Sequence, residues 1–452
     1  MIRFTAIRLG NTRRGWLGGV AVGLVLALSS MPSAHAQAAA IPRSDTQAAA
    51  ARIEAIARAG CNVLAARVDT LPGNAPVLLR SYDNPRGQGA PDLLPLHSAA
   101  FTYDNALAVI ALLACHRRSQ AERIGAALRL AAMNDTRLRD AYRAGIVAGD
   151  KPLPNGWRDP DSGRWIEAAQ QYAGAYQDGS SCGNVAWAAL ALLALHHATA
   201  EDRWRDAAVH LARWVVGHAA DTRGAGGFDG GIESYLLVPR KAAWKSTEHN
   251  IDLIAMFEWL HQIAAPGGDW QAQARHARRF VDAQWDAASG HFWMGTTADG
   301  VTPLRSPSAL DVQLWAQLLP NAPKPWRRAL HWIERMNSVK GGFDFTDDRD
   351  GLWTEGTAQA ALVYRWTGNA ARANALFVSI AQQASPGGFL YATPAARITA
   401  VYSYYRHQPC LAATAWAVIA ALDRNPYLPP NMHRANTPPH ASPAHAGHPT
   451  LQ

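Results

Sequence analysis

A chain of 452 residues, 48% of them hydrophobic and 17% charged, is long enough for one large domain or two ordinary ones and has the composition of a well-packed globular protein. Its formal net charge of +8 arises from 43 Lys and Arg residues against 35 Asp and Glu residues, and no basic block lies beyond the first 36 positions. Nucleic acid is therefore not an expected partner.

The first 36 residues have the order of an export signal. Arginines precede an apolar run at 16–28, and Ala34-His35-Ala36 follows, so we expect cleavage before Gln37. The adjacent Arg13 and Arg14 fit a twin-arginine signal as well as a general secretory one, and both remain open. The apolar run is too short to anchor the chain in a bilayer. We expect a periplasmic or secreted monomer without a membrane anchor.

Residues 37–424 show a repeating pattern of paired helices. A helical segment at 45–68 and a Pro/Gly-rich loop at 69–97 come first. Five pairs follow, each with a very short internal link and a long loop after it: 98–116 with 120–134, 181–197 with 201–219, 247–264 with 269–285, 308–319 with 325–336, and 355–366 with 370–384. A last helix at 410–422 can pair with 45–68. The segment 425–452, rich in Pro and His, is expected to be a disordered tail.

The two helices of each pair differ in a consistent way. The first is almost entirely apolar, whereas the second carries charged residues along one side. An apolar helix is buried on all sides, and an amphipathic helix faces solvent on one. Six inner helices ringed by six outer helices satisfy both, so the sequence predicts an all-α (α/α)6 toroid. The long loops and the starts of all inner helices then lie on one rim. An open α-solenoid is the alternative.

Acidic residues concentrate at the starts of the predicted inner helices. Asp104, Glu248 and Glu355 begin three different helices and are the candidates for a catalytic acid and base. Asp252 lies one turn after Glu248, and Asp311 begins a fourth helix. Helix capping is the alternative role for any single carboxylate at such a position. If the toroid closes, these acids converge, and like charges in a partly dry cleft raise one another's pKa, which suits acid–base chemistry.

Other residues of the same rim are candidates for binding a sugar. Aromatic faces stack on the C–H faces of sugar rings, while polar side chains bind the hydroxyl groups. Besides Asp252 and Asp311, the candidate substrate-binding residues are Tyr103, Asn105, Asn184, His249, Trp157, Trp353 and Tyr235.

The arrangement resembles the six-hairpin glycosidase superfamily, through the motifs Tyr103-Asp104-Asn105, Glu248-His249-Asn250 and Trp353-Thr354-Glu355-Gly356. The resemblance implies an (α/α)6 barrel, a cleft at the inner-helix starts, and hydrolysis with inversion by two carboxylates. We therefore expect an exported glycoside hydrolase that cleaves a polysaccharide or oligosaccharide and needs no cofactor. Two alternatives stay open. One is a polysaccharide lyase with His249 as base, and the other is a non-catalytic carbohydrate-binding or scaffold toroid of a polysaccharide secretion system.

The cysteines leave their pairing open. An even number in an exported chain permits two disulfides, but each cysteine lies in an apolar helical context that also suits a buried free thiol: Cys61, Cys115, Cys182 and Cys410.

An acidic loop at 344–355 has the ligand spacing of a Ca²⁺-binding EF-hand loop. Arg349, however, occupies the position where that loop needs glycine for its turn. We favour an acidic loop that ends in a helix cap, and we expect no metal site.

Overall fold

A computed structural model of the protein describes residues 43–83, 91–235, 237–401 and 403–430. The predicted signal peptide and residues 431–452 of the predicted tail lie outside these ranges. Within them, no helix combines the length and the apolar character that a membrane span requires.

The described residues contain twelve α-helices. They are α1 (Arg43–Asp69), α2 (Thr102–Ala114), α3 (Arg118–Asn134), α4 (Cys182–Thr199), α5 (Asp202–Ala219), α6 (Thr247–Gln262), α7 (Trp270–Ala283), α8 (Leu310–Trp315), α9 (Arg328–Met336), α10 (Thr354–Trp366), α11 (Ala370–Ala381) and α12 (Leu411–Ala421).

The even-numbered helices form a closed inner ring. Each packs against the next even-numbered helix, and α12 packs against α2. The helices α3, α5, α7, α9 and α11 each pack on the outside of the inner helix that precedes them. On the inner α4 every side chain from Val185 to Leu195 is buried, whereas the outer α5 buries one stripe that includes Trp204 and Leu211. The predicted (α/α)6 toroid is thus confirmed.

The sixth hairpin joins the two ends of the chain. A Cβ atom at Gly60 of α1 would lie only 2.3 Å from Cγ2 of Val418 in α12, so the absence of a side chain there permits close packing. A disulfide joins Cys61 of α1 to Cys115, the residue that follows α2. Cys182 and Cys410 are buried free thiols.

The fourth pair differs from the prediction. The helix expected at 308–319 is regular only over α8, because the residue before Pro320 is disfavoured in helical conformation and the chain leaves the helix in turns. The helix expected at 325–336 begins with a 3₁₀ turn, Lys324–Arg327, which contains Pro325, and becomes α9 afterwards.

Short antiparallel strands line the rim where the inner helices begin. One sheet has three strands, Ser180–Ser181, Gly231–Glu233 and Arg240–Lys241. The described two-stranded pairs are Val77–Leu78 with Gly145–Ile146, Ala99–Phe101 with Ala141–Arg143, Gly156–Arg158 with Trp165–Glu167, Trp285–Asp286 with His291–Phe292, Ser338–Val339 with Gly342–Phe343, Leu390–Tyr391 with Pro409–Cys410, and Arg397–Ala400 with Ser403–Arg406.

A recurring side-chain contact fastens these strands to the inner helices. Asn250 of α6 accepts a hydrogen bond from the backbone N–H of Phe228 at 2.9 Å and donates one to its carbonyl at 2.9 Å. A polar side chain one turn into the helix also bonds the backbone of a nearby rim residue in four further inner helices. Asn105 with Leu79 and Gln313 with Phe292 use both ends of an amide, whereas Thr357 and Thr414 accept from the N–H groups of Phe343 and Leu390. We call these five side chains the rim clamps.

The chain remains packed against the barrel past residue 424. Asn425 is fully buried and donates a hydrogen bond to the carbonyl of Leu318 at 2.8 Å. Tyr427 is 1% exposed and reaches the interior of the ring. Residues 425–430 lack helical periodicity, so the sequence pattern does not reveal that this segment packs against the barrel.

Candidate active site

Five carboxylates from four inner helices gather at one end of the ring. They are Asp104 of α2, Glu248 and Asp252 of α6, Asp311 of α8 and Glu355 of α10, and we call them the carboxylate cluster. Their charges act on one another: Glu248 lies within the field of Asp311 and Glu355, Asp252 within that of Glu248 and Asp311, and Glu355 within that of Asp104 and Asp311. The expected convergence is therefore observed, while the catalytic role of each residue stays a prediction.

Helix capping does not account for the two glutamates. The cap of α6 is Ser246, whose hydroxyl accepts from the backbone N–H of His249, and α10 has no side-chain cap. Asp311 does accept a helix-start hydrogen bond, from the N–H of Val312 at 2.7 Å. Helix capping therefore does not explain why Glu248 and Glu355 lie near one another.

Burial makes the carboxylate cluster hold protons tightly. Burial raises the pKa of Asp104 to about 7, that of Asp311 to about 6 and that of Glu355 to about 8. Burial, followed by the charges of Asp311 and Glu355, raises the pKa of Glu248 well above its usual value. Near neutral pH the cluster retains protons, so one carboxyl group can donate a proton while another accepts one.

Glu355 is held by hydrogen-bond donors. The hydroxyl of Tyr103 donates to its Oε1 at 2.7 Å, and Nε2 of Gln359 donates to the same oxygen at 3.3 Å. The indole of Trp416 in turn donates to the Tyr103 hydroxyl at 2.8 Å. These contacts fix the carboxyl group and stabilise its ionised form. Tyr103 therefore lies inside the site, as predicted.

Aromatic rings close the interior of the ring beside the cluster. Trp187 of α4 lies with its ring centroid 5.3 Å from that of Trp315, 5.7 Å from that of Trp416 and 5.4 Å from that of Tyr427. The Tyr427 hydroxyl donates to Oδ1 of Asp252 at 2.5 Å. Asp252 is fully buried, and its Oδ2 has no hydrogen-bond partner among the described residues, so its role in substrate binding stays a prediction.

His249 is neutral at physiological pH because burial lowers its pKa to about 4. Its ring packs against α4 where Gly183 lacks a side chain, since a Cβ atom there would lie 2.6 Å from the imidazole Cδ2. Its Nδ1 is buried and has no hydrogen-bond partner among the described residues. A neutral imidazole with an unused nitrogen can accept or donate one hydrogen bond to a ligand.

Tyr405 also belongs to the site, although the sequence analysis does not identify it. Burial raises its pKa, and the charges of Glu355, Asp311 and Glu248 raise it further, so its hydroxyl lies within the field of the cluster. Its ring stacks on Trp353, with centroids 5.3 Å apart. Tyr405 comes from the hairpin Arg397–Ala400 and Ser403–Arg406, which lies in a long rim loop outside the helical pattern.

The predicted aromatic residues separate into three environments. Trp353 immediately precedes α10 and packs beneath Tyr405, next to the cluster. Tyr235 lies on the rim with 57% of its surface exposed and stacks on Tyr176. Trp157 is 8% exposed in its strand Gly156–Arg158, and its role in sugar binding stays a prediction.

Two predicted binding amides are engaged in the scaffold. Asn105 is a rim clamp that uses both ends of its amide on Leu79, and its Nδ2 also reaches the carbonyl of Phe101. Asn184 donates to Oδ1 of Asp140 at 2.7 Å, and the same oxygen accepts from the N–H and hydroxyl of Ser181. Asn105 is corrected to a structural role, because a buried amide satisfied by protein has little capacity left for a ligand. Asn184 is half-buried and engages only its Nδ2, so its role in substrate binding stays a prediction.

The acidic loop does not form an EF-hand arrangement. Oxygens of Asp344, Asp348 and Asp350 come within 4.8 Å of one another. Glu355, which would complete that set, belongs to the carboxylate cluster instead. Asp344 accepts from the backbone N–H groups of Phe345 and Gly351, so it stabilises the loop itself.

Solved structures share this architecture at low sequence identity. A glycosidase in complex with glucose superimposes with a TM-score of 0.56 at 13% identity, covering 83% of this chain and 97% of that one. A cellobiose 2-epimerase from Bacillus thermoamylovorans gives 0.54 at 10% identity, covering 78% and 94%. An alpha-amylase from Clostridium perfringens gives 0.50 at 10% identity, covering 72% and 86%. No protein-family model and no curated protein matches the sequence.

These likenesses define the fold. The chain has an (α/α)6 architecture of the kind found in these glycosidase and epimerase structures, as the helix pattern predicts.

Proposed function

We propose that the protein is an exported glycoside hydrolase that cleaves an oligosaccharide or polysaccharide by a two-carboxylate, inverting mechanism. The observation that carries the proposal is the placement of Glu248 and Glu355. They come from separate inner helices, share one electrostatic field, and are surrounded by the aromatic and hydroxyl groups of Tyr103, Trp353 and Tyr405.

The environments of the two glutamates divide their roles. Glu248 has the charges of Asp311 and Glu355 near it, so it is the group that keeps its proton and acts as general acid on the glycosidic oxygen. Glu355 receives hydrogen bonds from Tyr103 and Gln359, which favour its ionised form, so it acts as general base on the attacking water. Asp104 lies beside them and binds a sugar hydroxyl.

The ring geometry favours inversion over retention. Inverting enzymes leave room for a water molecule, with carboxyl groups roughly 6.5–9.5 Å apart, whereas retaining enzymes place them roughly 5–5.5 Å apart. Helix α8 lies between α6 and α10 in the ring, so the two glutamates approach from helices that are not neighbours. Glutamates on helices that are not neighbours fit the wider separation of an inverting pair.

Two observations support export. Residues 1–36 have the pattern of a signal peptide. The disulfide between Cys61 and Cys115 is of the kind that persists in oxidising compartments such as the periplasm or the extracellular space.

Charge argues against the lyase alternative. A polysaccharide lyase acts beside a substrate carboxylate and must neutralise it, but none of the groups that shift the pKa of Glu248, Asp252 or Glu355 is a Lys or Arg that could do so. The scaffold alternative is also disfavoured, because a non-catalytic protein gains nothing from buried carboxylates that do not cap a helix.

The test is hydrolysis of a panel of neutral and acidic polysaccharides by wild type and by Glu248→Gln, Glu355→Gln and Asp104→Asn, with products scored by mass. We expect Glu248→Gln and Glu355→Gln to lower kcat by at least about 100-fold. The exposed Asp202→Asn at the start of α5 is the matched control and should retain full activity.

Three outcomes contradict the proposal. If activity persists in all three cluster variants, the assigned residues are not catalytic. Unsaturated products would show that the enzyme is a lyase. Glycan binding by the wild type without any turnover points to a scaffold. Proton NMR of the first product formed decides between inversion and retention.

A further inference from the structure

Three aromatic rings form a continuous strip on the rim. The rings of Phe101 and Tyr176 lie 6.1 Å apart between centroids with an angle of 14° between their planes. The rings of Tyr176 and Tyr235 lie 6.2 Å apart at 21°. Three rings with similar orientation thus follow one another, and we call them the aromatic strip.

The aromatic strip begins at the carboxylate cluster and leads outward. Phe101 is the residue directly before α2, the helix that carries Tyr103 and Asp104. Tyr176 precedes α4 in a 3₁₀ turn, and the charge of Asp104 is one of the causes that raise its pKa. Tyr235 lies in the loop that leads to α6 and is 57% exposed. The strip therefore crosses the rim from the cleft to solvent over three successive inner-helix starts.

We infer that the aromatic strip binds the sugar units of a neutral glycan beyond the bond that is cleaved, so that the substrate is a chain of several units rather than a disaccharide. This inference rests on the proposed function, because it takes the carboxylate cluster as the place of cleavage.

The chemistry of the strip fits consecutive sugar rings. The C–H faces of a pyranose stack on an aromatic face, and a tyrosine adds a hydroxyl for one of the sugar hydroxyls. A core aromatic residue would be covered, yet the outermost ring of this series is open to solvent. Continuity from an exposed ring to a buried acid is what an extended chain entering a cleft requires.

The charge of the cleft selects a neutral chain. Asp104, Asp311 and Glu355 have raised pKa values because burial removes them from water, which shows that their ionised forms are poorly compensated. None of the groups that shift these pKa values is a Lys or Arg, so a substrate carboxylate placed beside them would lose its water with no cation to compensate it. A glycan of neutral sugars avoids this loss.

Binding is measured by titration calorimetry in the Glu355→Gln background, where turnover is suppressed, with the cleavage assay run separately on the wild type. The probes are cello-, malto-, xylo- and manno-oligosaccharides of two and of six units, and a hexagalacturonate. We expect at least one neutral hexasaccharide to bind at least about tenfold more tightly than its disaccharide, and the hexagalacturonate not to bind. Adding Tyr235→Ala should weaken hexasaccharide binding by about three- to tenfold and leave the disaccharide unchanged.

The matched control is Tyr404→Ala. Tyr404 is 52% exposed, similar to Tyr235, but it is covered by the guanidinium of Arg397 and precedes Tyr405 on its strand, so it points to the opposite face. It should leave binding at every length unchanged, and Tyr235→Trp, which keeps a ring, should retain the tight binding. KM values of the wild type for two and six units give the same comparison if Glu355→Gln does not fold.

Equal binding of both lengths, no effect of Tyr235→Ala, or failure of every neutral hexasaccharide to bind overturns the inference. Length-dependent binding that Tyr235→Ala removes, in a protein that cleaves nothing, upholds the strip and rejects the hydrolase. Cleavage of glycans whose binding does not depend on chain length supports the hydrolase and rejects the role of the aromatic strip.

Discussion

At the scale of single residues, the site distinguishes two glutamates of the same type by their neighbours. Both lie at the second position of an inner helix, Glu248 in α6 and Glu355 in α10. Only Glu355 receives hydrogen bonds from Tyr103 and Gln359. Since such donors stabilise a carboxylate, they set the ionisation of the proposed base relative to that of the proposed acid.

Replacement of Tyr103 by phenylalanine should move the pH profile in a defined direction. The base must be ionised, so kcat/KM should rise as the pH increases through the pKa of Glu355, about 8. The change Tyr103→Phe removes a donor that lowers this pKa. The ascending limb should therefore shift to higher pH, which a pH series of kcat/KM measures.

A tyrosine on α10, the helix that carries Glu355, serves as the control. The Tyr364 hydroxyl donates to Oε1 of Glu334 at 2.6 Å, in the last turns of α10, away from the cluster. Tyr364→Phe should leave the ascending limb in place. An unmoved limb in Tyr103→Phe would show that Glu355 is not the base.

At the scale of elements, the rim clamps explain how short strands and loops keep a fixed position above the inner helices. Asn250 saturates both backbone groups of Phe228, which belongs to the Gly226-Gly227-Phe228 turn. Gly227 has a positive φ of 84°, and a Cβ atom there would lie 2.6 Å from Cβ of Phe280, so only glycine fits the turn that the clamp holds.

Loss of this clamp should destabilise the fold measurably. The change Asn250→Ala leaves the buried N–H and carbonyl of Phe228 without partners, at about 1–3 kcal/mol for each group. We expect the free energy of unfolding in urea to fall by about 2–5 kcal/mol. Asn134→Ala, which removes one exposed bond to the carbonyl of Asp150, should change it by less than about 1 kcal/mol. Equal effects of the two substitutions would reject the clamp.

The sequence predicts the helices better than it predicts the contacts between them. Apolar and amphipathic periodicity locates inner and outer helices because burial depends on the pattern along each segment. Whether Asn105 clamps the rim, caps a helix or binds a sugar depends on its contact with Leu79, 26 positions away. The local sequence around Asn105 does not predict a contact over that separation. Tyr405 was missed for the same reason, since a two-stranded hairpin in a long loop has no periodicity to read.

At the scale of the whole molecule, the ring has two unlike regions inside it. Indole and phenol rings from α4, α8, α12 and the segment after α12 fill one part, while the carboxylate cluster occupies the start of the inner helices. Apolar packing stabilises the closed ring, whereas the carboxylate cluster is buried at the end of the ring where the proposed active site lies. Burial of an ionised carboxylate is unfavourable, so the site works against the stability of the fold.

This conflict predicts how stability should depend on pH. The folded pKa values of Asp311, Asp104 and Glu355 are about 6, 7 and 8, whereas unfolded carboxyls titrate near pH 4. The folded state therefore binds protons more tightly, and its extra stability, complete below about pH 4, is lost as the pH rises to about 8. Urea midpoints should fall between pH 5 and 9 in the wild type and in the exposed control Asp202→Asn, and fall less in Asp104→Asn combined with Glu355→Gln. A combined variant whose midpoint declines in parallel with the wild type would show that these acids are not the source.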